Sequence, residues 1–252
     1  MSIVFYLLTL HLSSIIINEV MSEFFDKGYN PSDILINLWN PLTDASADLI
    51  KQNIGTKLLG KNDYIYHIGN TPLYIYFVLK GRVKIFRNSD DGRPKIIRIF
   101  REEQFFGYRA YFAHENYSTN CVAMQDALVA MLPVDVISKL IDDNATVMDY
   151  FFKELAHGLG MSDDRIVSMS QKHLRGRLAE TVLFLSKSFG TDNDGWIHGK
   201  ITRRDIADLA NMSTSNAIRT LTSFREEGFI DTDGKRIRII QPASLAYVSG
   251  KE

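Results

Sequence analysis

Apolar residues along this chain follow three rhythms, and each predicts a different architecture. Between Thr56 and Pro133 they fall in short runs: Leu58-Leu59, Tyr64 to His67, Tyr74 to Lys80, Arg82 to Arg87, Lys95 to Phe100, Cys121 to Gln125 and Leu128 to Leu132. These runs are rich in aromatic and β-branched residues, which favour strands. Gly60, Gly69, Gly81 and Gly92 punctuate them, and Asp91-Gly92 is a strong hairpin signal. Short strands at this spacing predict an all-β sandwich or barrel.

The rhythm lengthens from Asn144 to about His173. Met148, Phe152, Leu155, Leu159, Ser162, Ile166, Met169 and His173 step by alternating four and three residues, without an intervening Pro. Gly158 and Gly160 weaken this helical pattern but do not break it. A 3.5-residue seam held over more than three heptads is the pattern of a coiled coil. Tyr150, Phe151 and Val167 lie off the seam and are free to pack on the chain's own strands. The reading is a dimerisation helix whose interface is Met148, Phe152, Leu155, Leu159, Ile166 and Met169; the alternative is a helix packed only on its own β-domain.

The third rhythm runs from Ile201 to Ile240. Thr202 followed by Asp205 predicts a capping box, with Ile206 and Leu209 as a short apolar stripe behind it. Asn211 falls where a tight helix–helix turn needs a positive φ, and Ser213 is a second N-cap. Ala217, Leu221 and Phe224 share one helix face, while Thr214, Ser215, Ile218, Arg219 and Thr222 share the other. Gly228 ends the helix, and Asp231 to Ile240 alternates around Asp233-Gly234 as a hairpin does. Helix, turn, helix and hairpin together predict a winged helix-turn-helix. Before it, Leu178 to Ser186 predicts a packing helix, and Gly176, between Arg175 and Arg177, suggests a hinge.

The runs I-T-R-R-D-I-A at 201–207, S-T-S-N-A-I-R at 213–219 and D-G-K at 233–235 resemble the Crp/Fnr family of bacterial regulators. So does Tyr76-Phe77-Val78-Leu79-Lys80-Gly81-Arg82-Val83, which resembles that family's cyclic-nucleotide-binding β-roll. The resemblance covers nearly everything after Ile34. It implies an α+β chain: an N-terminal double-stranded β-helix, a long dimerisation helix and a C-terminal winged helix-turn-helix. The expected divisions are 22–143 for the effector domain, 144–173 for the helix and 174–252 for the DNA module. It implies a homodimer on double-stranded DNA with a pseudo-palindromic operator, RNA polymerase as a further partner, and a small-molecule effector; the alternative from another class is a cyclic-nucleotide-like regulatory subunit acting on a protein partner. On the DNA side it implies Arg203, Ser213 and Lys235 as phosphate anchors and Arg219 as a guanine reader, with Thr214 on the DNA-facing side and Ser215 and Asn216 contacting bases or phosphates near the helix start. Cyclic-AMP-type members carry Glu two residues after the cap Ser, where this chain has Ser215, so the operator should differ from theirs.

The family's ligand loop corresponds to 105–120, with a Gly at Gly107. Cyclic-AMP-binding members place Glu directly after that Gly and Arg eleven residues after it; here those positions hold Tyr108 and Ser118. Loss of the Arg removes a charge-assisted contact of roughly 1.5–3 kcal/mol. The members' adenine-contacting Thr-Ser pair aligns with Ser162-Asp163. Cyclic AMP is therefore not expected. The expected effector pocket is Gly107, Tyr108, Arg109, Ser118, Thr119, Ser162 and Asp163, with Arg109 offering a substitute cation. Two alternatives stay open: aromatics such as Tyr111, Phe112 and Tyr117 filling a vestigial pocket, and a haem with His67, His114 or His157 as ligand.

Composition adds limits. The 252 residues, 45% hydrophobic and 23% charged, suffice for two cores. From Gln171 onward there are 13 Lys and Arg against 10 Asp and Glu, a net of +3; the remainder is 16 against 20, a net of −4. A basic C-terminal module behind an acidic body fits DNA binding. One cysteine, Cys121, excludes a disulfide framework and a four-cysteine iron–sulfur cluster, and points to the cytoplasm. The apolar run Ile3 to Ile17 is short of the roughly 20 residues that span a bilayer and lacks a positive leader. It reads as part of a non-native or disordered extension over 1–21, the alternative being an interfacial or packing segment, with no membrane partner. Histidines stand without metal-site spacing and no catalytic motif occurs, so no enzyme and no metal centre are expected.

Overall fold

The computed structural model describes residues 30–89, 92, 94–199 and 201–250; the extension expected over 1–21 and Asp91 of the hairpin signal lie outside them. The chain divides into two compact units, Met1–Ile85 with Arg98–Ala156 and Phe86–Ile97 with His157–Glu252.

The first unit opens with two helices that the apolar rhythm did not announce, α1 (Pro31–Leu38) and α2 (Asp44–Asn53). Asn30 caps α1, with Pro31 at its first position, and Thr43 caps α2. Strands β1 (Gly55–Leu59), β2 (Tyr64–Tyr66), β3 (Tyr74–Lys80), β4 (Arg82–Asn88), β5 (Pro94–Arg101), β6 (Phe105–Phe106), β7 (Asn120–Ala123) and β8 (Ala127–Pro133) follow, with a short helix α3 (Tyr108–Phe112) after β6. They form two four-stranded sheets, in the orders β1-β8-β3-β6 and β2-β7-β4-β5. Every expected strand is present, within a few residues of its expected ends. At the tight corner between β3 and β4, Gly81 adopts φ +88, and a Cβ there would sit 2.6 Å from the Asp126 carbonyl.

Two apolar clusters fill this unit. One joins Leu35, Trp39 and Ile50 of the leading helices to Phe105, Ile137 and Phe151, with Trp39 stacked on Phe105 at 5.2 Å. The other lies between the sheets and gathers Tyr66, Tyr76, Val83, Phe100, Phe106, Tyr117 and Cys121. After β8 comes α4 (Val134–Asp143), then the long helix α5 (Ala145–Gln171), which occupies nearly the whole expected span.

In the second unit, α6 (Leu174–Phe189), α7 (Arg203–Leu209), α8 (Thr214–Glu226), a hairpin of β9 (Ile230–Asp233) and β10 (Arg236–Ile239), and α9 (Pro242–Ser249) make the winged module. Leu178, Val182, Leu185, Ile206, Ala217, Leu221, Phe224, Ile237 and Leu245 form its core. The module corrects one expectation. Gly176 is no hinge: it is buried in the first turn of α6, where a Cβ would meet the Val248 carbonyl at 3.0 Å. The helical break is at Lys172-His173, and Gly176 is small because α9 packs against it. Among the described residues no helix is long and apolar enough to cross a membrane.

Candidate nucleic-acid interface and effector pocket

The helix-turn-helix is held by the caps its sequence announces. Thr202 and Asp205 form a reciprocal capping box at the start of α7, and the Ser213 hydroxyl accepts from the Asn216 amide at 3.2 Å at the start of α8. Asn211 takes φ +50 in the turn between them, and its carbonyl accepts from Arg177 at 3.3 Å. Burial of Ala217, Leu221 and Phe224 turns Thr214, Ser215, Ile218 and Arg219 outward into solvent. Arg219 is steadied by its neighbour, its guanidinium donating to Asn216 Oδ1 at 3.1 Å. Arg175 braces the other end of α8 from α6. It donates to Ser223 at 2.9 Å, pairs with Glu227 and lies over the Phe224 ring. These bonds from Arg175 and Ser223 hold the Glu227 carboxyl below the usual range.

The wing differs in detail from its sequence signal. Asp233 pairs with Arg236, so the two central turn residues are Gly234 and Lys235, one step later than Asp233-Gly234 suggests. Gly234 carries φ +53, and Lys235 is exposed at the tip. Arg203, expected at a phosphate, turns its guanidinium onto the wing: it donates to the Gly234 carbonyl at 2.9 Å and the Lys235 carbonyl at 3.3 Å.

Sequence reasoning passed over Trp196. Its strand segment bridges to Arg238, and the Arg236 and Arg238 guanidiniums each lie 4.8 Å from its ring centre. Asp192 accepts from Arg236 at 2.6 Å and Asp231 from Arg238 at 2.8 Å, so both arginines are oriented along the wing. The Arg238 bond, with one from the Thr232 amide, lowers the Asp231 pKa. The D-x-D-G turn before Trp196 was the available signal; only the fold shows that it flanks the hairpin.

The effector side is rearranged relative to expectation. Gly107 has φ +86 beneath α3, and a Cβ there would meet Tyr76 at 3.0 Å and the Tyr117 hydroxyl at 3.2 Å. Tyr108 is buried, with its hydroxyl 3.5 Å from Glu154. Burial pushes its phenol up to about 12. Arg109 faces the surface instead, bound to Glu115 and Ser118, each at 3.1 Å. The cation beside Tyr108 is Arg98, which pairs with Glu154 at 3.9 Å. Rings occupy the space between the sheets: Tyr66 stacks on Tyr117 at 3.7 Å and Tyr76 on Phe106 at 5.1 Å. Thr119 hydrogen-bonds Tyr66. Ser162 and Asp163 are exposed on α5, with the Ser162 hydroxyl donating to the Gly158 carbonyl at 2.9 Å.

His67 stacks on Tyr64, His114 sits at φ +54 after α3 and His157 lies on α5; all three are exposed. Among the described residues no group of three or more His, Cys, Asp or Glu is close enough to hold a metal.

On α5, Met148, Phe152, Leu159 and Ile166 are 60–71% exposed and Met169 is 37% exposed. Leu155 packs partly on the chain's own core, as do Tyr150 and Phe151. Val167 was expected to join them, yet it is 50% exposed. It faces solvent because the inward position of that turn is taken by Ser168, which bonds Glu180.

A double-sheet roll, a long helix and a winged helix-turn-helix define a class of DNA-binding regulators, and comparison with known proteins agrees. Residues 56–144 match the cyclic nucleotide-binding domain family and residues 176–248 the Crp-like helix-turn-helix domain family. The chain belongs to the Crp/Fnr family of transcription regulators. It is 24% identical over 174 residues to a CRP-like cAMP-activated global transcriptional regulator of Mycobacterium tuberculosis, covering 68% of this chain and 78% of that one. It is 23% identical over 203 residues to the cAMP-activated regulator CRP of Salmonella typhimurium, covering 79% and 96%. Its fold matches that of FixK2 from Bradyrhizobium japonicum with a TM-score of 0.71 at 19% identity, covering 77% of this chain and 96% of that one.

Proposed function

We propose that two copies of this chain pair along α5 and read a pseudo-palindromic operator, one half-site per copy, without cyclic AMP as the signal. In this reading 22–143 senses, 144–173 pairs and 174–252 binds DNA in the cytoplasm. The observation that carries it is the seam on α5. Four large apolar side chains on it stay 60–71% exposed among the described residues. A partner helix would recover roughly 1.5–3 kcal/mol for each one it buries. Pairing also presents two copies of α8, about 34 Å apart, to successive major grooves.

Within each half-site, Arg219 reads a guanine, Thr214, Ser215 and Asn216 lie close to the bases, and Ser213 and Lys235 meet phosphates. The absence of cyclic AMP is supported by Tyr108 and Ser118 at the positions of the ribose and phosphate grips. It is supported too by Arg109 being tied to Glu115, and by the rings stacked between the sheets.

Sedimentation and operator titration test this reading. Phe152→Asp with Ile166→Asp should give a folded monomer with at least tenfold weaker operator binding. Cyclic AMP should leave the affinity of the unaltered chain unchanged. A dimeric double variant would overturn the pairing, and a tenfold gain with cyclic AMP would overturn the effector reading.

A further inference from the structure

The outward face of α8 carries one residue that the polar chemistry of DNA contacts does not explain. The exposed residues of this helix are Thr214, Ser215, Ile218, Arg219, Arg225 and Glu226, and Ile218 alone among them is apolar. It is 48% exposed and takes no part in the buried stripe of Ala217, Leu221 and Phe224. Its turn neighbours on that face are polar: Thr214, Ser215 and Thr222, whose hydroxyl donates to the Ile218 carbonyl at 3.0 Å. Arg219, held by Asn216, stands directly beside it.

We infer that Ile218 is a specificity-determining residue that packs on the C5-methyl group of a thymine in the major groove. This rests on the DNA-reading assignment above and names a second base that it recognises. The phosphates, sugars and most base edges of a duplex are polar, and the thymine methyl is the apolar feature of the major-groove floor. Ile is suited to it because a β-branched side chain in a helix is almost fixed at χ1. Ile218 therefore presents its methyl groups already oriented, and little rotamer freedom is lost on contact. Successive residues are about 100° apart around the helix axis, so Ile218 and Arg219 meet neighbouring positions rather than the same base. The thymine should fall within roughly two base pairs of the guanine that Arg219 contacts.

The test uses the full-length chain. An operator is first selected from a random duplex library, and each thymine in a half-site is then replaced in turn by deoxyuridine, which lacks only the C5-methyl. At one thymine the unaltered protein should lose about fourfold in affinity, the value of burying one methyl-sized group. Changing both half-sites should raise the loss to roughly fifteenfold. Ile218→Ala should bind the thymine and deoxyuridine operators equally, and Ile218→Val should retain the preference. Because Ile218 is exposed, neither variant removes a core side chain. A selected operator at which no thymine shows a methyl dependence removed by Ile218→Ala would overturn this inference alone. A library that yields no enriched sequence would overturn the DNA-reading assignment together with it.

Discussion

Arg203 and Lys235 are joined through the wing's backbone: the Arg203 guanidinium donates to the Lys235 carbonyl at 3.3 Å and to the adjacent Gly234 carbonyl at 2.9 Å. One residue starts the helix-turn-helix and the other tips the hairpin, so the bonds fix the wing's height against α7. In the proposed reading Arg203 acts on DNA through the placement of Lys235. Lys235→Ala removes one phosphate contact per half-site, so it should weaken binding on all sequences and lower the slope of log affinity against log salt by about 1.8. Arg203→Ala should do much the same, and the double variant should add little, leaving a coupling of roughly 0.5–1.5 kcal/mol. Salt titrations of the four proteins decide it. Fully additive losses, with a slope change of about 3.6 for the double variant, would mean that Arg203 contacts a phosphate of its own.

Arg219 differs in kind from Lys235. Its planar fork is oriented by Asn216 Oδ1 at 3.1 Å and suits the two acceptors of a guanine. Arg219→Ala should erase discrimination at one base pair per half-site, roughly 1–3 kcal/mol, while binding to random DNA falls much less. Arg219→Lys should keep the charge and still fail to restore the preference. Competition with operators altered one base pair at a time measures both. Equal loss on operator and random DNA would place Arg219 on the backbone.

The winged module was legible because its signals are local. A cap and its amide are three residues apart, as for Thr202 with Asp205 and Ser213 with Asn216, and a positive φ at Asn211 is a property of one residue. The strands of the roll were legible from their glycines and alternation. What escaped depends on partners distant in sequence. Nothing near Trp196 says that Arg236 and Arg238 will cover it. Nothing near Arg109 says that Glu115 and Ser118 will hold it outward while Arg98, on β5, takes the place beside Tyr108. The leading helices were missed because they are short, 8 and 10 residues, and Trp39 reaches its stacking partner Phe105 only in the folded unit.

Gly176 shows the same limit and offers a stability test. Its small size is set by Val248, whose carbonyl would lie 3.0 Å from an added Cβ. In an isolated helix Ala would be favoured over Gly by about 1 kcal/mol. Here the contact with backbone on α9 should reverse that sign. Gly176→Ala should destabilise the DNA module by roughly 1–3 kcal/mol through overpacking, measured as a lower thermal midpoint. Gly160→Ala is the internal control: it lies in α5 with open space around its Cβ, and it should be neutral or stabilising. Equal stabilisation by both substitutions would contradict the packing of α9 on Gly176.

The phenols of the roll predict its behaviour in alkali. Burial pushes Tyr76 and Tyr108 up to about 12, and it drives Tyr66, Tyr117 and Tyr150 upward as well. In an unfolded chain a tyrosine ionises near 10. The folded state therefore favours the neutral phenol. Its stabilisation is complete below about pH 10 and is lost as pH rises from there toward 12. Each such tyrosine steepens the decline by about 1.4 kcal/mol per pH unit in that window. The buried Cys121 thiol, also raised, starts the decline earlier, from about 8.5. Denaturant midpoints measured between pH 8 and 11 should fall increasingly steeply, and Tyr76→Phe should make the last part of the curve shallower while leaving the midpoint at neutral pH little changed. Phenolate absorbance from these five tyrosines, isolated by difference against their Phe variants, should appear only with unfolding. Titration of Tyr66, Tyr76 or Tyr117 at about 10 while the protein stays folded would show that the rings between the sheets are open to water.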